Sequence, residues 1–220
     1  MRIANNFVLW GSSGHAKVLA ETIAVLGGVV IALFDNNHDA RSVIPGVPIF
    51  TGERGFLRWI NNTSDKGLNV SALVAIGGDR GKDRLRIQTL FREYDFLQPV
   101  LRHPSATVSP AAVFGEGTQI LAQCNVASDV KVGGACILNH QSSVDHECVI
   151  GNGVHIGPSA TLCGCVSVGD HVFVGAGAVV LPRISIGENS LIGAGSIVTK
   201  DVPPNTVVMG NPAKPADAKR

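Results

Sequence analysis

The stretch SVDHECVIG (143–151) sets Asp145, His146 and Glu147 side by side among dozens of residues that are almost all aliphatic, small or glycine. Histidine has its ordinary pKa near working pH, so it suits removal of a proton from an attacking amine or hydroxyl. A neighbouring carboxylate can orient the ring and stabilise its cation. Glu147 is the expected partner. Asp145 is the alternative, because strict strand alternation would send the side chains of 146 and 147 to opposite sides. The bland reading of such a histidine is a solvated corner. A second histidine, His155, follows nine residues later. No covalent intermediate is required: Cys124, Cys136 and Cys148 recur at positions that read inward, as small hydrophobes. Cys163 and Cys165 form a lone CxC, which lacks the paired spacing of a zinc site.

A second candidate site lies near the start of the chain. FVLW (7–10) runs into GSSGH (11–15), then into a helical pattern with Val18, Leu19, Ile23 and Leu26 on one face, closing at Gly27-Gly28. VVIALFD (29–35) reads as a buried strand ending at Asp35. A strand, a glycine-rich turn and a helix N-terminus make a phosphate-binding geometry. Asp35 stands about where a dinucleotide fold sets a carboxylate on a ribose. Yet GSSGH is Gly-x-x-Gly, and the third glycine position of the dinucleotide fingerprint is Ala16. The ribose and diphosphate of a nucleotide sugar therefore suit this loop better than a dinucleotide. SALVAIGG (71–78) reads as another buried strand, residues 82–94 as a helix with Leu85, Leu90 and Phe91 inward, and FLQPVL (96–101) as a last strand. Strand alternating with helix implies a parallel sheet.

The elements that must position His146 follow a different rule. From Val108 to Val198 every sixth residue is apolar, sixteen in succession without a slip. The residue after it is often glycine, as at 115, 133, 151, 157, 169, 175, 187 and 193. The residue four after it is mostly small, as at Ala112, Thr118, Cys136, Ser142 and Ala178. Neither a helical period of 3.6 nor a strand period of 2 explains this. A triangular solenoid does: each hexapeptide is a short strand plus a corner, and three make a coil of 18 residues. The aliphatic residue points inward, the small one fits near the corner, and glycine or asparagine is expected to tolerate unusual corner torsions. In this register Val144 is inward, so His146 and Glu147 fall at or near a corner and face outward.

Bulk properties agree. The 220 residues suffice for one large domain or two small ones, with 45% hydrophobic and only 16% charged residues. A net charge of +1 gives no global attraction to nucleic acid or an anionic membrane. No apolar run has the length of a membrane span, and the first residues lack a secretory signal pattern, so a cytoplasmic protein without membrane insertion is expected.

The hexads resemble the left-handed parallel β-helix of hexapeptide-repeat acyltransferases, and VTKDVPPNTVVMGNPAK (198–214) resembles the segment that ends such helices. Together the halves resemble the sugar acyltransferases that include sialic-acid O-acetyltransferases and bacillosamine-pathway nucleotide-aminosugar N-acetyltransferases. The matching elements are GSSGH (11–15), FDN (34–36), AIGG (75–78), HECVIG (146–151), His155, Gly164 and the tail. The resemblance implies a Rossmann-like α/β domain over 1–102 that binds a nucleotide sugar, and an all-β left-handed β-helix acyltransferase domain over 103–220. It implies a homotrimer with active sites between subunits and acetyl-CoA as co-substrate, with no metal. It implies acetylation of the amino group of a nucleotide-linked amino sugar, of the UDP-4-amino-4,6-dideoxy type, in bacterial surface-glycan biosynthesis. Carried over residue by residue, His146 is the general base with Glu147. Acetyl-CoA falls at His155, Gly164, Ala176 and Ala194, and the nucleotide sugar at Ser13, Gly14, His15, Asp35, Asn36 and Gly77. Small residues would let the pantetheine arm lie against the coils. Lys200, Lys214 and Lys219 could meet its phosphates, although a solvated tail is the simpler reading. The segment 37–70 reads longer than in the bacillosamine-pathway enzyme, which bears on substrate identity.

Three rival readings use the same features. A zinc enzyme of the γ-carbonic-anhydrase kind needs histidines stacked at multiples of 18, but 18 residues after His140, His146 and His155 stand Pro158, Gly164 and Phe173. A nucleotide-binding scaffold would bind nucleotide without acetyl-CoA turnover. An O-acetyltransferase would keep fold and donor and accept a sugar hydroxyl, as on a sialic acid.

Overall fold

The computed structural model describes residues 5–62 and 70–216; Lys219 lies outside them. The first half is a four-stranded parallel sheet in the order β3-β2-β1-β4, formed by β1 (Asn6–Trp10), β2 (Val29–Asp35), β3 (Ile49–Thr51) and β4 (Val70–Val74). Helices α1 (Gly14–Val25), α2 (Gly52–Asn62) and α3 (Gly81–Glu93) cover it. Both sheet faces are buried, which is why its strands read as apolar runs rather than alternating ones. Phe7 and Leu9 point toward α1 and toward Leu101, Leu121 and Ile137 of the second half. Val8 and Trp10 point the other way, into an aromatic cluster with Phe34, Phe56, Phe91 and Phe96.

Two elements depart from the sequence reading. Residues 96–101 do not form a last strand of this sheet: Leu97 makes only an isolated bridge to Ser71, and Leu101–Arg102 already pairs with the solenoid. Strand β3 and helix α2 were not anticipated. Their signal is Phe56, Trp59 and Ile60 at i, i+3 and i+4, packed in the aromatic cluster.

The second half is a left-handed parallel β-helix of two-residue strands on three faces. The first face runs from Leu101–Arg102 through Gln119–Ile120, Ile137–Leu138, His155–Ile156, Phe173–Val174 and Leu191–Ile192 to the tail hairpin. It docks against the α/β domain. The second face includes Ser143–Val144 and Thr161–Leu162, and the third Val149–Ile150 and Ser167–Val168. Each strand pairs in parallel with the one 18 residues on, as Ile137 with His155 and Ser143 with Thr161. The inward hexad residues from Ile120 to Val198 are all buried; each contributes about 1.5–3 kcal/mol on full burial.

The corners correct one expectation. The left-handed φ falls not on the glycines that follow the inward residue but two positions later. It recurs at every sixth residue from Gly117 to Gly195, and the occupants include Gln123, Asp129, Ala135, Gln141 and Glu147. The earlier glycines are needed for close approach between coils. A Cβ at Gly157 would stand 2.6 Å from the Val174 carbonyl oxygen, and one at Gly175 2.5 Å from the Ala194 nitrogen.

Candidate active site

His146 sits on the corner between the second and third faces. The Asp145 carboxylate accepts the His146 backbone N–H (2.7 Å), and the His146 carbonyl accepts the Cys165 N–H one coil on (2.9 Å). Glu147 has φ +58°, which turns its side chain to the same side as the imidazole. Its Oε2 lies 3.0 Å from His146 Nδ1. The partner is thus Glu147 and not Asp145, and strand alternation fails because residue 147 is a corner residue. A carboxylate only accepts, so Nδ1 carries a proton, and in the neutral ring the lone pair is then on Nε2. Gly164, one coil above, makes room for that ring edge: a Cβ there would stand 2.5 Å from Nε2 and 2.6 Å from Cε1. His146 Nε2 is therefore a basic atom on an exposed corner, held from one side by a carboxylate and flanked on the other by bare backbone.

Cys165 Sγ lies 3.7 Å from Glu147 Oε2. His146, Glu147 and Cys165 offer three mixed donors within 4.8 Å, the one cluster among the described residues with a metal-like donor set. The other thiols are poorly suited to nucleophilic work. Burial pushes Cys124 and Cys148 up to about 11 and Cys136 up to about 12.

The second half-site is a cavity of about 320 Å³ at the ends of β1, β2 and β4, lined by Trp10, Gly11, Ser13, Asp35, Asn36, Ala75, Ile76, Gly77 and Arg80. It brings together four of the residues read from the sequence, Ser13, Asp35, Asn36 and Gly77. It adds Gly11, Ala75 and Ile76, which lie within the GSSGH and AIGG motifs without being singled out there, and Arg80, which lies outside both. Gly11 has φ +117°, and a Cβ would meet the Ala75 carbonyl oxygen at 2.4 Å, so the loop admits nothing larger. Asp35 accepts the N–H groups of Ser12 (2.8 Å) and Asn37 (2.9 Å), which fixes the loop shape. Gly14 opens α1 with open space where a side chain would be. Arg80 is paired with Asp83 at the mouth of this cavity.

Two histidines of the sequence reading lie in the junction between the halves. His15 Nε2 is 2.7 Å from Gln119 Oε1, and the Gln119 amide donates to the Val74 carbonyl (2.8 Å). Burial is the main cause that lowers the His15 pKa. His155 projects from the docking face and is 6% exposed. Its Nδ1 faces the Gly78 carbonyl (3.3 Å), its Nε2 receives the Asn139 amide (3.0 Å), and its ring meets the edge of Phe173. Burial first, then the charge of Arg84, hold its pKa down to about 3, so it is a neutral imidazole. Within one chain His146 and His155 stand on different walls. Ala176 and Ala194 are stacked and exposed on the corner between the first and second faces, across the second face from Gly164.

The two halves of the chain have counterparts of known kind. Residues 6–88 match the PglD N-terminal domain, and residues 147–181 and 165–200 match the bacterial transferase hexapeptide (six repeats). PerB from Caulobacter crescentus, in complex with CoA and GDP-perosamine, is 33% identical, with 96% of this chain and 97% of that chain covered and a TM-score of 0.86. The acetyltransferase domain of PglB from Neisseria gonorrhoeae, in complex with acetyl coenzyme A, is 30% identical, with 96% and 99% covered and a TM-score of 0.84. WeeI from Acinetobacter baumannii shares the fold at 24% identity, 96% and 99% coverage and a TM-score of 0.82. With both models matched and the likeness to PerB and PglB covering 96% of its length, the chain belongs to the hexapeptide-repeat sugar acyltransferase family.

Proposed function

We propose that this protein transfers the acetyl group of acetyl-CoA to the amino group of a nucleoside-diphosphate-linked amino sugar, of the 4-amino-4,6-dideoxy type. The observation that carries the reading is His146, whose Nδ1 is held by Glu147 while Nε2 is left free over Gly164. His146 Nε2 takes the proton from the amine as its nitrogen attacks the thioester carbonyl. The C–S bond then breaks, and the imidazolium returns the proton to the departing thiolate. Glu147 stabilises the imidazolium between these two events. The raised thiol pKa values of Cys124, Cys136 and Cys148 argue against an acyl-enzyme at those three residues.

Residues 1–102 hold the nucleotide sugar in the cavity at Ser13, Asp35, Asn36 and Gly77, with Gly14 and His15 shaping the start of α1. Residues 103–220 hold acetyl-CoA at Gly164, Ala176, Ala194 and His155. Gly164 and the two alanines lie on opposite edges of the second face; in the homotrimer that the family resemblance implies, the cofactor would meet one such edge from each of two neighbouring chains. The bound species named for PerB (CoA with a nucleotide amino sugar) and for PglB (acetyl coenzyme A) agree with the donor and acceptor classes. UDP follows from the family resemblance, and GDP is the nucleotide in the PerB complex. No helix among the described residues is long and apolar enough to cross a membrane; we place the enzyme in the cytoplasm, where nucleotide sugars and acetyl-CoA are available.

The test is thiol release from acetyl-CoA against matched UDP-, GDP- and dTDP-linked amino and hydroxyl sugars. Turnover confined to amino sugars is the expected result. Turnover confined to hydroxyl acceptors would replace the N-acetyltransferase reading by O-acetylation.

A further inference from the structure

Arg84 lies on α3, yet it is fully buried. Its guanidinium donates to four backbone carbonyls in three segments. Nε reaches Ala135 (3.0 Å), Nη2 reaches Gly153 (2.6 Å), and Nη1 reaches Ile76 (3.1 Å) and Gly78 (3.3 Å). Ala135 and Gly153 are 18 residues apart, at the same left-handed corner position of successive coils. Ile76 belongs to the loop that lines the nucleotide cavity, and Gly78 ends that loop. The Gly78 carbonyl also faces His155 Nδ1. Gly81, three residues before Arg84, lets α3 approach the coil: a Cβ there would meet the Gly153 carbonyl oxygen at 2.3 Å.

Burying a cation among carbonyls costs free energy that a neutral donor would avoid. Neutral amides already join the two halves nearby, Gln88 to the Glu116 carbonyl (2.6 Å) and Gln119 to the Val74 carbonyl (2.8 Å). Adhesion between the halves therefore does not require a charge at 84. What a guanidinium supplies and an amide does not is a rigid planar fork that sets several acceptors at fixed separations. Its pKa, lowered to about 10 chiefly by burial, leaves it charged at neutral pH.

We propose that Arg84 is a positioning residue: it fixes the Ile76–Gly78 loop at a set distance from two coils of the solenoid, and so holds the sugar end of the acceptor in register with the transfer site. This rests on the reading of the α/β cavity as a nucleotide-sugar site. A shift of about 1 Å between bound reactants can lower the rate by about 100-fold, and among the described residues Arg84 is the one side chain with hydrogen bonds both to this loop and to the carbonyls of both coils.

The experiment compares wild type with Arg84→Ala and Arg84→Lys. It reads UDP, GDP and CoA binding by calorimetry and steady-state kinetics with the best amino-sugar acceptor. Arg84→Ala is expected to lower kcat/KM for the amino sugar ~10–100-fold and to weaken nucleoside-diphosphate binding, while CoA binding stays within about threefold of wild type. Millimolar methylguanidinium should restore part of the lost turnover and methylammonium should not. Arg84→Lys should fall between wild type and Arg84→Ala. Equal loss of CoA and nucleotide binding without chemical rescue, unchanged kinetics, or failure of both variants to fold would each overturn the proposal. If wild type binds no nucleoside diphosphate at all, the nucleotide-sugar reading falls first and this proposal with it. Normal nucleotide binding in wild type and variant alike, together with unchanged kcat/KM, would overturn only the role of Arg84.

Discussion

His146 and His155 stand nine residues apart on one repeating scaffold, and their surroundings make them different reagents. His146 is half-exposed on a corner, paired with a carboxylate, and keeps one nitrogen free. His155 is buried on a face, has a guanidinium instead of a carboxylate near it, and has partners at both nitrogens. A carboxylate neighbour stabilises an imidazolium, whereas burial beside a cation forbids one. The solenoid produces this contrast through register alone. A corner residue with left-handed φ brings Glu147 to His146, while a strand residue pointing outward drives His155 into the docked domain.

The two environments can be broken separately. The largest loss is expected from His146→Ala, which should lower kcat about 10²–10⁴-fold with little change in either KM, since the role proposed for this imidazole is on a proton and not on binding. Next comes Gly164→Ala. Its Cβ would collide with Nε2 and push the ring off the reacting amine, for a loss of about 100-fold in kcat at nearly unchanged thermal stability. Glu147→Gln keeps the size of the partner but removes its charge, and a loss of about tenfold in kcat is expected. A larger loss for Asp145→Asn than for Glu147→Gln would contradict the pairing.

The smallest effect lies on the other side of the comparison. His155 takes up its proton at about 3 in the folded chain, against an ordinary value of 6.5. Between those values only the unfolded chain binds the proton. The stability tied to this group is therefore fully present above pH 6.5 and is lost as pH falls toward 3. His15, also lowered by burial, acts in the same direction. Melting temperatures of His155→Gln should decline less steeply below pH 6.5 than those of wild type. Parallel curves would mean that His155 is not the buried neutral group described here.

Much of this was legible in the sequence, and the limits are physical. Hexads are local: Val144, Ile150 and Ile156 declare themselves by spacing, because each coil contacts only its neighbours. The same spacing put His146 and Glu147 on a corner, but it did not reveal the left-handed torsion at 147 that decides the partner. Residues such as Asp129 and Gln141 share that torsion without being glycine, so composition hid it. The α/β loops were readable where Gly11 or Asp35 punctuates a strand. Helix α2 was not, since Phe56, Trp59 and Ile60 form one short apolar stripe in a polar segment. The contacts of Arg84 and Gln119, and the burial of His15 against Gln119 rather than in the cavity, were beyond reach for another reason. The partners lie 51, 45 and 104 residues away, and a single sequence does not show which long-range pairs meet.

One measurement bears most directly on the central claim. Thiol release with a nucleotide-linked amino sugar should be followed for wild type and His146→Ala, with CoA and nucleotide affinities measured on the same samples. The account predicts that both proteins bind both ligands alike and that His146→Ala loses turnover. Undiminished turnover in His146→Ala would contradict it, and would leave the Asp145–Glu147 corner as a solvated bend of the solenoid.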